Sequence, residues 1–234
     1  MIGAAACWFV YNDIRENRME DVGQIAEARY EEMRMRLHEY NDRGKGLLDT
    51  LIAVCRDSNE GINACAQAKL EQFASVNHAV GITFHSGIEN DLVVGTDAIP
   101  PDQLNKPFLP GQIAVTSTST VNGASLFSLN AADSSSGFRL VTTYAGQTLQ
   151  NIFIGSPVLG QSGETFLADN RGFFITKPRY PSQQGITTPI SAVPMERCLR
   201  SDNSETLDLD YRNVRIIHGF RFVPEIGGGC IMAH

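Results

Sequence analysis

The sequence lacks an excess of positive charge. Its 234 residues include 19 Lys and Arg against 26 Asp and Glu, which gives a formal net charge of −7. Nucleic-acid binding depends on cations that neutralise phosphates, so this balance excludes a general nucleic-acid-binding role. A hydrophobic content of 42% and a charged content of 19% are typical of a folded protein with a core.

Motifs that mark common catalytic and metal sites are also missing. The glycines around Lys45 lack the spacing and the hydroxyl of a phosphate-binding loop, and the chain has no H-E-x-x-H or C-x-x-C motif. Residues 160–163 (GQSG) do not form G-x-S-x-G, and they precede a predicted strand instead of following one. We therefore expect no catalytic activity, no cofactor and no metal site in this chain.

The apolar run at residues 2–10 (IGAAACWFV) is too short to cross a bilayer, which takes about 20 residues. It also lacks the basic segment that precedes the apolar part of a signal peptide. Trp8 and Tyr11 are residue types that favour the membrane–water interface. We interpret residues 1–11 as the outer end of a transmembrane helix; the buried start of a helix is the alternative.

Residues 11–54 are predicted to form one long helix. Apolar or small residues follow one another at alternating spacings of four and three, as Ala26, Tyr30, Met33, Leu37, Tyr40, Gly44, Leu47, Leu51 and Val54. This spacing predicts a heptad seam on a helix about 65 Å long. We expect residues 26–37 of the seam to pair with the same helix of a second copy, and residues 47–54 to pack on the chain's own modules.

The five cysteines suggest a compartment. Cys55 and Cys65 flank a short polar loop between two predicted antiparallel helices, a placement that favours a disulfide. Cys198 on a predicted short helix and Cys230 on the last predicted strand are left to pair across the core, and Cys7 remains single. Two disulfides would indicate an oxidising, extracytoplasmic compartment. The alternative is five buried thiols in a reducing cytoplasm.

The remaining pattern predicts two modules after residues 12–76, which hold the long helix and a second helix. The first module, residues 77–146, has predicted strands at 79–85, 91–99, 113–120, 124–130 and 138–144. Residues 147–160 form a predicted connecting helix. The second module, residues 161–234, has a hairpin at 164–176, a helix at 190–199 and strands at 206–213, 214–223 and 229–233. The expected fold class is α+β, a long N-terminal helix supporting two tandem modules with antiparallel sheets.

The run 159–172 (LGQSGETFLADNRG) resembles the opening of a Cache (PDC, PAS-like) module, in which G-x-[ST]-G-E-x-[FY]-L-x-D-x-x-G is common. Residues 138–154 resemble the junction between the two modules of a double-Cache sensor. The resemblance implies the periplasmic sensor domain of a membrane-anchored bacterial receptor, namely a histidine kinase, a diguanylate cyclase or a chemoreceptor. The only tryptophan, Trp8, lies outside the first module, which departs from the pattern of the amino-acid-binding branch.

Arginine and tyrosine are concentrated in the second module of this acidic chain. We predict an anion-accepting ligand site there, formed by Arg179, Tyr180, Tyr211, His218 and Arg221, because guanidinium groups bind carboxylate or phosphate through two parallel N–H bonds. Strand alternation places His218 and Arg221 on opposite faces unless a bulge intervenes. A solvated surface explains scattered arginines equally well. The hydroxyl-rich segment 116–120 of the first module is an alternative lining.

The expected function is ligand sensing, in which a small molecule favours one arrangement of the long helices and so signals to a cytoplasmic output domain. A homodimer through the N-terminal helix is part of this expectation. Two other functions remain open at this point. One is a ligand-free dimerisation or interaction module of a membrane protein, and the other is a secreted enzyme.

Overall fold

The structure is a computed structural model that describes residues 2–59, 61–96, 113–114, 126–133, 135–154, 159–180 and 188–234. The predicted hydroxyl-rich segment 116–120 lies outside the described residues, as do positions 97–99 of the second predicted strand.

Helix α1 spans Ile2–Cys55 and has 54 residues. Its buried positions repeat every eleven residues, as Val22, Met33, Gly44 and Cys55 and as Ala26, Leu37 and Leu48. Eleven residues in three turns give 3.67 residues per turn, close to the 3.6 of a straight helix. The heptad seam is therefore wrong at its upper end, where Val54 is 56% exposed and Cys55 is buried instead.

The lower end of the predicted seam is already occupied within the single chain. Ala26 and Met33 are 0% exposed and Leu37 is 1% exposed. The expectation that these side chains pair with a second copy is therefore wrong, because they belong to the core of the chain itself. Any dimer through α1 has to use other faces of the helix.

The first compact unit comprises Arg34–Thr148 and Glu225–Gly227. Its helix α2 (Ile62–Asn77) packs on an antiparallel sheet of β1 (Ala79–His85), β2 (Leu92–Gly95), β3 (Ile113–Ala114), β4 (Leu126–Ala132) and β5 (Arg139–Ala145), in the order β2-β1-β5-β4-β3. Side chains from both helices and one face of the sheet form its core, including Leu48, Leu51, Ile62, Leu70, Ile82, Phe84 and Leu140. This face of the sheet is called the helix face below.

Two local interactions stabilise the junction between α1 and α2. A disulfide joins Cys55 at the end of α1 to Cys65 in α2. The first residue before α2, Gly61, has no side chain to cap the helix, and Glu89 takes that role. Its carboxylate accepts the backbone N–H groups of Ile62 at 3.0 Å and Asn63 at 3.2 Å, which satisfies two of the unpaired donors of the first turn.

The second compact unit comprises Met1–Met33, Leu149–Pro224 and Gly228–His234. Its sheet contains β6 (Thr165–Ala168), β7 (Ser204–Leu209), β8 (Arg215–Val223) and β9 (Gly229–Ala233) in the antiparallel order β6-β9-β8-β7, and helix α3 (Val193–Leu199) packs on β7, β8 and β9. The predicted strand at 173–176 is reduced to one bridge between Ala168 and Phe174. A disulfide joins Cys198 in α3 to Cys230 in β9.

The two faces of this second sheet have different partners. One face packs against α3 in a core that includes Phe166, Phe174, Met195, Phe220 and Met232. The other face packs against α1 through Ala233 and Ile217. At Gly219, an added Cβ would lie 2.7 Å from the carbonyl oxygen of Val22, so glycine is what lets α1 cross β8 this closely.

The expected fold class is confirmed, since a long N-terminal helix is followed by two antiparallel sheets with helices on them. The connecting helix is a 3₁₀ helix at Gly146–Phe153. Among the described residues, no helix combines the length and the apolar character needed to cross a membrane.

Candidate functional site

The first sheet buries polar side chains on the face opposite its helix face. Ile82 and Phe84 of β1 belong to the helix-face core, so Thr83 between them points to the other side. Through the β1–β5 and β5–β4 pairing, four buried polar residues share this opposite face: Thr83, Ser128, Asn130 and Thr143. They are 0–2% exposed. We call this surface the polar face of the first module.

Asn130 is the unusual member of the polar face. Ser128 and Thr143 satisfy each other, with 3.0 Å between their hydroxyl oxygens. Neither Oδ1 nor Nδ2 of Asn130 has a hydrogen-bond partner within the part of the chain that the structure describes, although the residue is only 2% exposed. A buried amide left unsatisfied costs about 1–3 kcal/mol, which makes Asn130 a candidate for contact with a polar group outside the described residues.

The second module carries a buried polar network around Glu164, which is 3% exposed. Its Oε1 accepts the hydroxyl of Tyr211 at 2.5 Å and Nε2–H of His234 at 2.9 Å, and its Oε2 accepts the backbone N–H of Arg179 at 2.7 Å. Burial alone would raise the pKa of Glu164, but the hydrogen bonds from His234 and Tyr211 hold it below its ordinary value. The carboxylate is therefore ionised at neutral pH.

Two histidines lie next to each other in this network, with 5.3 Å between the ring centroids of His218 and His234. Because Nε2 of His234 donates to Glu164, its Nδ1 is the acceptor in the neutral ring. That Nδ1 is buried and has no partner among the described residues. Burial and the neighbouring His234 lower the pKa of His218 to about 4, so its ring is neutral at pH 7.

A groove of about 860 Å³ opens beside the network, within the second unit. Its apolar lining is formed by Val22, Leu159, Val214, Ile216 and Ile217. Its polar lining includes Arg18, Asp21, Ser162, Tyr180, Arg212 and His234. A volume of this size is within the range of small-molecule sites, which are mostly apolar with a few polar groups. We call it the second-module groove.

Arg212 is held rigidly at the wall of the groove. Its Nε donates to Oδ2 of Asp210 at 2.5 Å, and its guanidinium carbon lies 4.4 Å from the centre of the Tyr180 ring. Burial would raise the pKa of Asp210, but backbone N–H groups of Val214 and Arg212 and the Arg212 side chain keep it below its ordinary value. The ion pair and the ring fix the guanidinium, and its two terminal nitrogens make no hydrogen bond to any described residue.

Four of the five predicted site residues lie on this side of the second module. Tyr180 lines the groove, and Tyr211 and His218 belong to the buried network. Arg179 is exposed; its backbone supports Glu164, and its Nη1 donates to the carbonyl oxygen of Gly163 at 3.0 Å. The structure therefore brings these four near the groove, with only Tyr180 in its lining.

Arg221 is on the opposite face of β8, against α1. Its Nε donates to Oε2 of Glu27 at 2.6 Å, its Nη1 and Nη2 donate to Oε1 of Glu205 at 3.1 Å, and its Nη2 also reaches the carbonyl oxygen of Gly23 at 3.1 Å. The guanidinium is thus satisfied by two carboxylates and by backbone carbonyls of the protein itself. Arg221 therefore does not share a site with His218. Strand alternation puts the two side chains on opposite faces, and no bulge interrupts β8 between them.

Sequence reasoning did not select Asn130, Glu164, Arg212 or His234. Glu164 is the glutamate of the G-x-S-G-E run. That run was the sequence signal from which a buried carboxylate with hydrogen-bond partners could have been predicted. No local signal marks Asn130, because its environment depends on the pairing of β4 with β5.

Comparison with known proteins bears on the fold. No family model and no curated protein sequence matches this chain. Solved structures do match it over nearly its full length. The sensory domain of the Campylobacter jejuni chemoreceptor Tlp3 with isoleucine bound is 13% identical, with a TM-score of 0.66 over 97% of this chain and 96% of that one.

Two further structures agree with this comparison. The extracellular domain of the predicted histidine kinase mmHK1S-Z3 is 12% identical, with a TM-score of 0.63 over 94% of this chain and 93% of that one. The ligand-binding domain of the Pseudomonas aeruginosa amino-acid chemoreceptor PctC in complex with GABA is 15% identical, with a TM-score of 0.58 over 90% and 95%. The chain has the fold of these receptor sensor domains, which confirms the fold that the Cache resemblance implies.

Proposed function

We propose that this chain is the extracytoplasmic ligand-sensing domain of a transmembrane receptor. Two observations support this proposal. The fold matches that of a receptor sensor domain over 97% of this chain, and the amide of Asn130 on the polar face of the first module is buried and unsatisfied. The Tlp3 and PctC structures carry isoleucine and GABA, respectively. We take a small polar organic molecule as the ligand class.

The polar face suits such a ligand chemically. The amide of Asn130 offers two N–H donors and a carbonyl acceptor, so it can bind either a carboxylate or an ammonium group. Val141, directly across from Asn130 on β5, is 2% exposed and adds an apolar contact beside it. In this proposal the ligand takes the hydrogen bonds that the folded chain leaves unmade.

The signal would pass along α1. This helix contributes buried side chains to both units, for example Val22 to the second and Leu48 to the first. A ligand that binds one arrangement of the helix more tightly shifts the population towards it by its differential affinity. We propose module limits at residues 77–146 and 161–234, with a cytoplasmic output domain elsewhere in the receptor and no catalysis in this chain.

We also propose a periplasmic location, the outer end of a transmembrane helix at residues 1–11 and a homodimer through α1. Support for the anchor and the dimer comes from four apolar side chains near the start of α1 that are 56–60% exposed: Trp8, Val10, Tyr11 and Ile14. The two disulfides fit an oxidising compartment. The same exposed side chains favour the second candidate function, a ligand-free dimerisation module of a membrane protein.

A thermal-shift screen of amino acids, short carboxylates and amines on the 234-residue chain separates the two functions. A sensor gives at least one compound that raises the melting temperature in a concentration-dependent manner, since ligand at 100 times its dissociation constant stabilises by about 2.7 kcal/mol. A ligand-free module gives no such compound. Both functions predict a dimer in analytical ultracentrifugation that Tyr11→Ser and Ile14→Ser abolish.

A further inference from the structure

We infer that the second-module groove is a separate binding site for a small carboxylate that carries an apolar chain. The groove lies wholly within the second unit, between α1, the segment at 159–163 and β8. It is distinct from the polar face of the first module, and the inference does not depend on that face binding a ligand.

The carboxylate is expected because the groove offers unused guanidinium donors. Arg18 and Arg212 both line it, and within the described residues neither makes a hydrogen bond through its terminal nitrogens. Arg212 is already oriented by Asp210 and by the Tyr180 ring, so binding does not have to immobilise it. A fixed planar guanidinium matches the two oxygens of a carboxylate.

The other charges at the groove argue against a phosphate. Asp21 lines the same space, and the ionised carboxylates of Asp210 and Glu164 lie behind Arg212 and His234. A dianion would meet this negative charge more strongly than a monoanion does. The set of charges therefore selects a monovalent anion.

The apolar chain is expected from the rest of the lining. Val22, Leu159 and Ile217 form a small cluster of packed side chains beneath the groove, and Val214 is 46% exposed beside it. Covering these groups removes apolar area from water at roughly 25 cal/mol per Å². His234 also lines the groove, but its side chain is only 1% exposed, so the ligand contacts there are expected from the arginines and the apolar residues.

Such a ligand would touch α1 directly, because Arg18, Asp21 and Val22 are residues of that helix. It would bridge α1 to β8, so its binding free energy would stabilise this packing. A second ligand could in this way act on the same helix as the first-module ligand.

Isothermal titration of the 234-residue chain with pentanoate, pentylamine and inorganic phosphate tests the inference. Pentanoate should bind, while pentylamine and phosphate should not. Arg18→Gln and Arg212→Gln should each weaken pentanoate binding about ten- to hundred-fold, as expected for a lost hydrogen bond between charged groups. Arg200→Gln, an exposed arginine of the same unit outside the groove, should leave it unchanged.

Ser162→Phe provides a variant that touches no guanidinium. Ser162 is exposed at the groove, so a phenyl ring there should block pentanoate while the melting temperature stays that of the parent. This variant and Arg18→Gln keep the test decisive if Arg212→Gln destabilises the Asp210 pair. Absence of pentanoate binding, equal binding of pentylamine, or binding unaffected by both Arg18→Gln and Ser162→Phe would overturn the inference. Asn130→Leu should leave pentanoate binding intact, which separates this site from the proposed first-module site.

Discussion

His234 and Glu164 meet twice, through their side chains and through their backbones. Nε2 of His234 lies 2.9 Å from Oε1 of Glu164, and the two residues also exchange backbone N–H···O bonds at 2.6 and 3.0 Å. They are 70 positions apart in the sequence, and their side chains are 1% and 2% exposed. This pairing extends the ladder between β6 and β9 by one residue pair, and it fixes the buried imidazole.

The neighbouring His218 should make the stability of the protein depend on pH. Its pKa is about 4 in the folded chain and 6.5 in the unfolded one, so the unfolded state binds the proton first as the pH falls. Stability should therefore decline between pH 6.5 and 4 by on the order of 3 kcal/mol. Urea unfolding across this range should show a much flatter profile for His218→Phe, which keeps an aromatic ring without the titrating group.

His38→Asn is the control for that series, because His38 is an exposed residue of α1. Its profile should follow the parent protein. A His218→Phe profile as steep as the parent's would show that the decline comes from other groups facing His218, such as Asp208 or His234.

Arg221 is expected to act in stability and not in ligand binding. Arg221→Ala leaves Glu27 and Glu205 without their shared partner and should lower the free energy of unfolding by about 1–3 kcal/mol. Arg215→Ala, at an exposed arginine on the same face of β8, should change it by less than about 0.5 kcal/mol. Equal unfolding midpoints for the two variants would contradict the role given to the Arg221 network.

The eleven-residue period of α1 gives a matched pair of substitutions. Leu37→Ala removes a 1% exposed side chain and should destabilise the chain by about 2–5 kcal/mol. Val54→Ala, which the heptad pattern would have placed in the same seam, should cost less than about 0.5 kcal/mol because Val54 is 56% exposed. Chemical unfolding of both variants distinguishes the two patterns, since a heptad seam predicts a large loss at Val54 as well.

The disulfides can be examined one at a time. Protein made in an oxidising compartment should show Cys55–Cys65 and Cys198–Cys230 linkages by mass spectrometry under non-reducing conditions. Replacing both cysteines of a pair by serine should cost about 2.7 kcal/mol for the 10-residue separation and about 3.7 kcal/mol for the 32-residue separation. Free thiols at Cys55 and Cys65 in such material would argue against an extracytoplasmic compartment.

Local patterns in the sequence predicted much of the fold. The strand predicted at 79–85 is β1 and that at 229–233 is β9, because alternation and turn residues act over a few neighbours. The period of α1 was misjudged because spacings of 3.5 and 3.67 residues agree at Ala26, Met33 and Leu37 and first differ by one residue at Leu48.

The sites were harder to predict for a physical reason. Glu164 and His234 meet through the pairing of strands far apart in the chain, and the orphan amide of Asn130 depends on which face of β4 is helix-packed. Strand alternation did predict that His218 and Arg221 point to opposite faces. No local rule, however, predicts that Glu27 on α1 reaches Arg221 across 194 positions.

The most direct test of the account is the response of Asn130→Leu, measured together with the affinity for a compound that the thermal-shift screen identifies and that Arg18→Gln still binds like the parent, so that it is not a ligand of the second-module groove. Leucine has nearly the same shape as asparagine and removes an unsatisfied buried amide, so Asn130→Leu without ligand should melt at or above the temperature of the parent protein. The control Ser128→Ala leaves the hydroxyl of Thr143 without its partner and should melt at a lower temperature. The account predicts that Asn130→Leu folds normally and loses binding by calorimetry at least about ten-fold. A variant that binds the ligand like the parent protein would contradict the claim that the polar face of the first module is the sensing site.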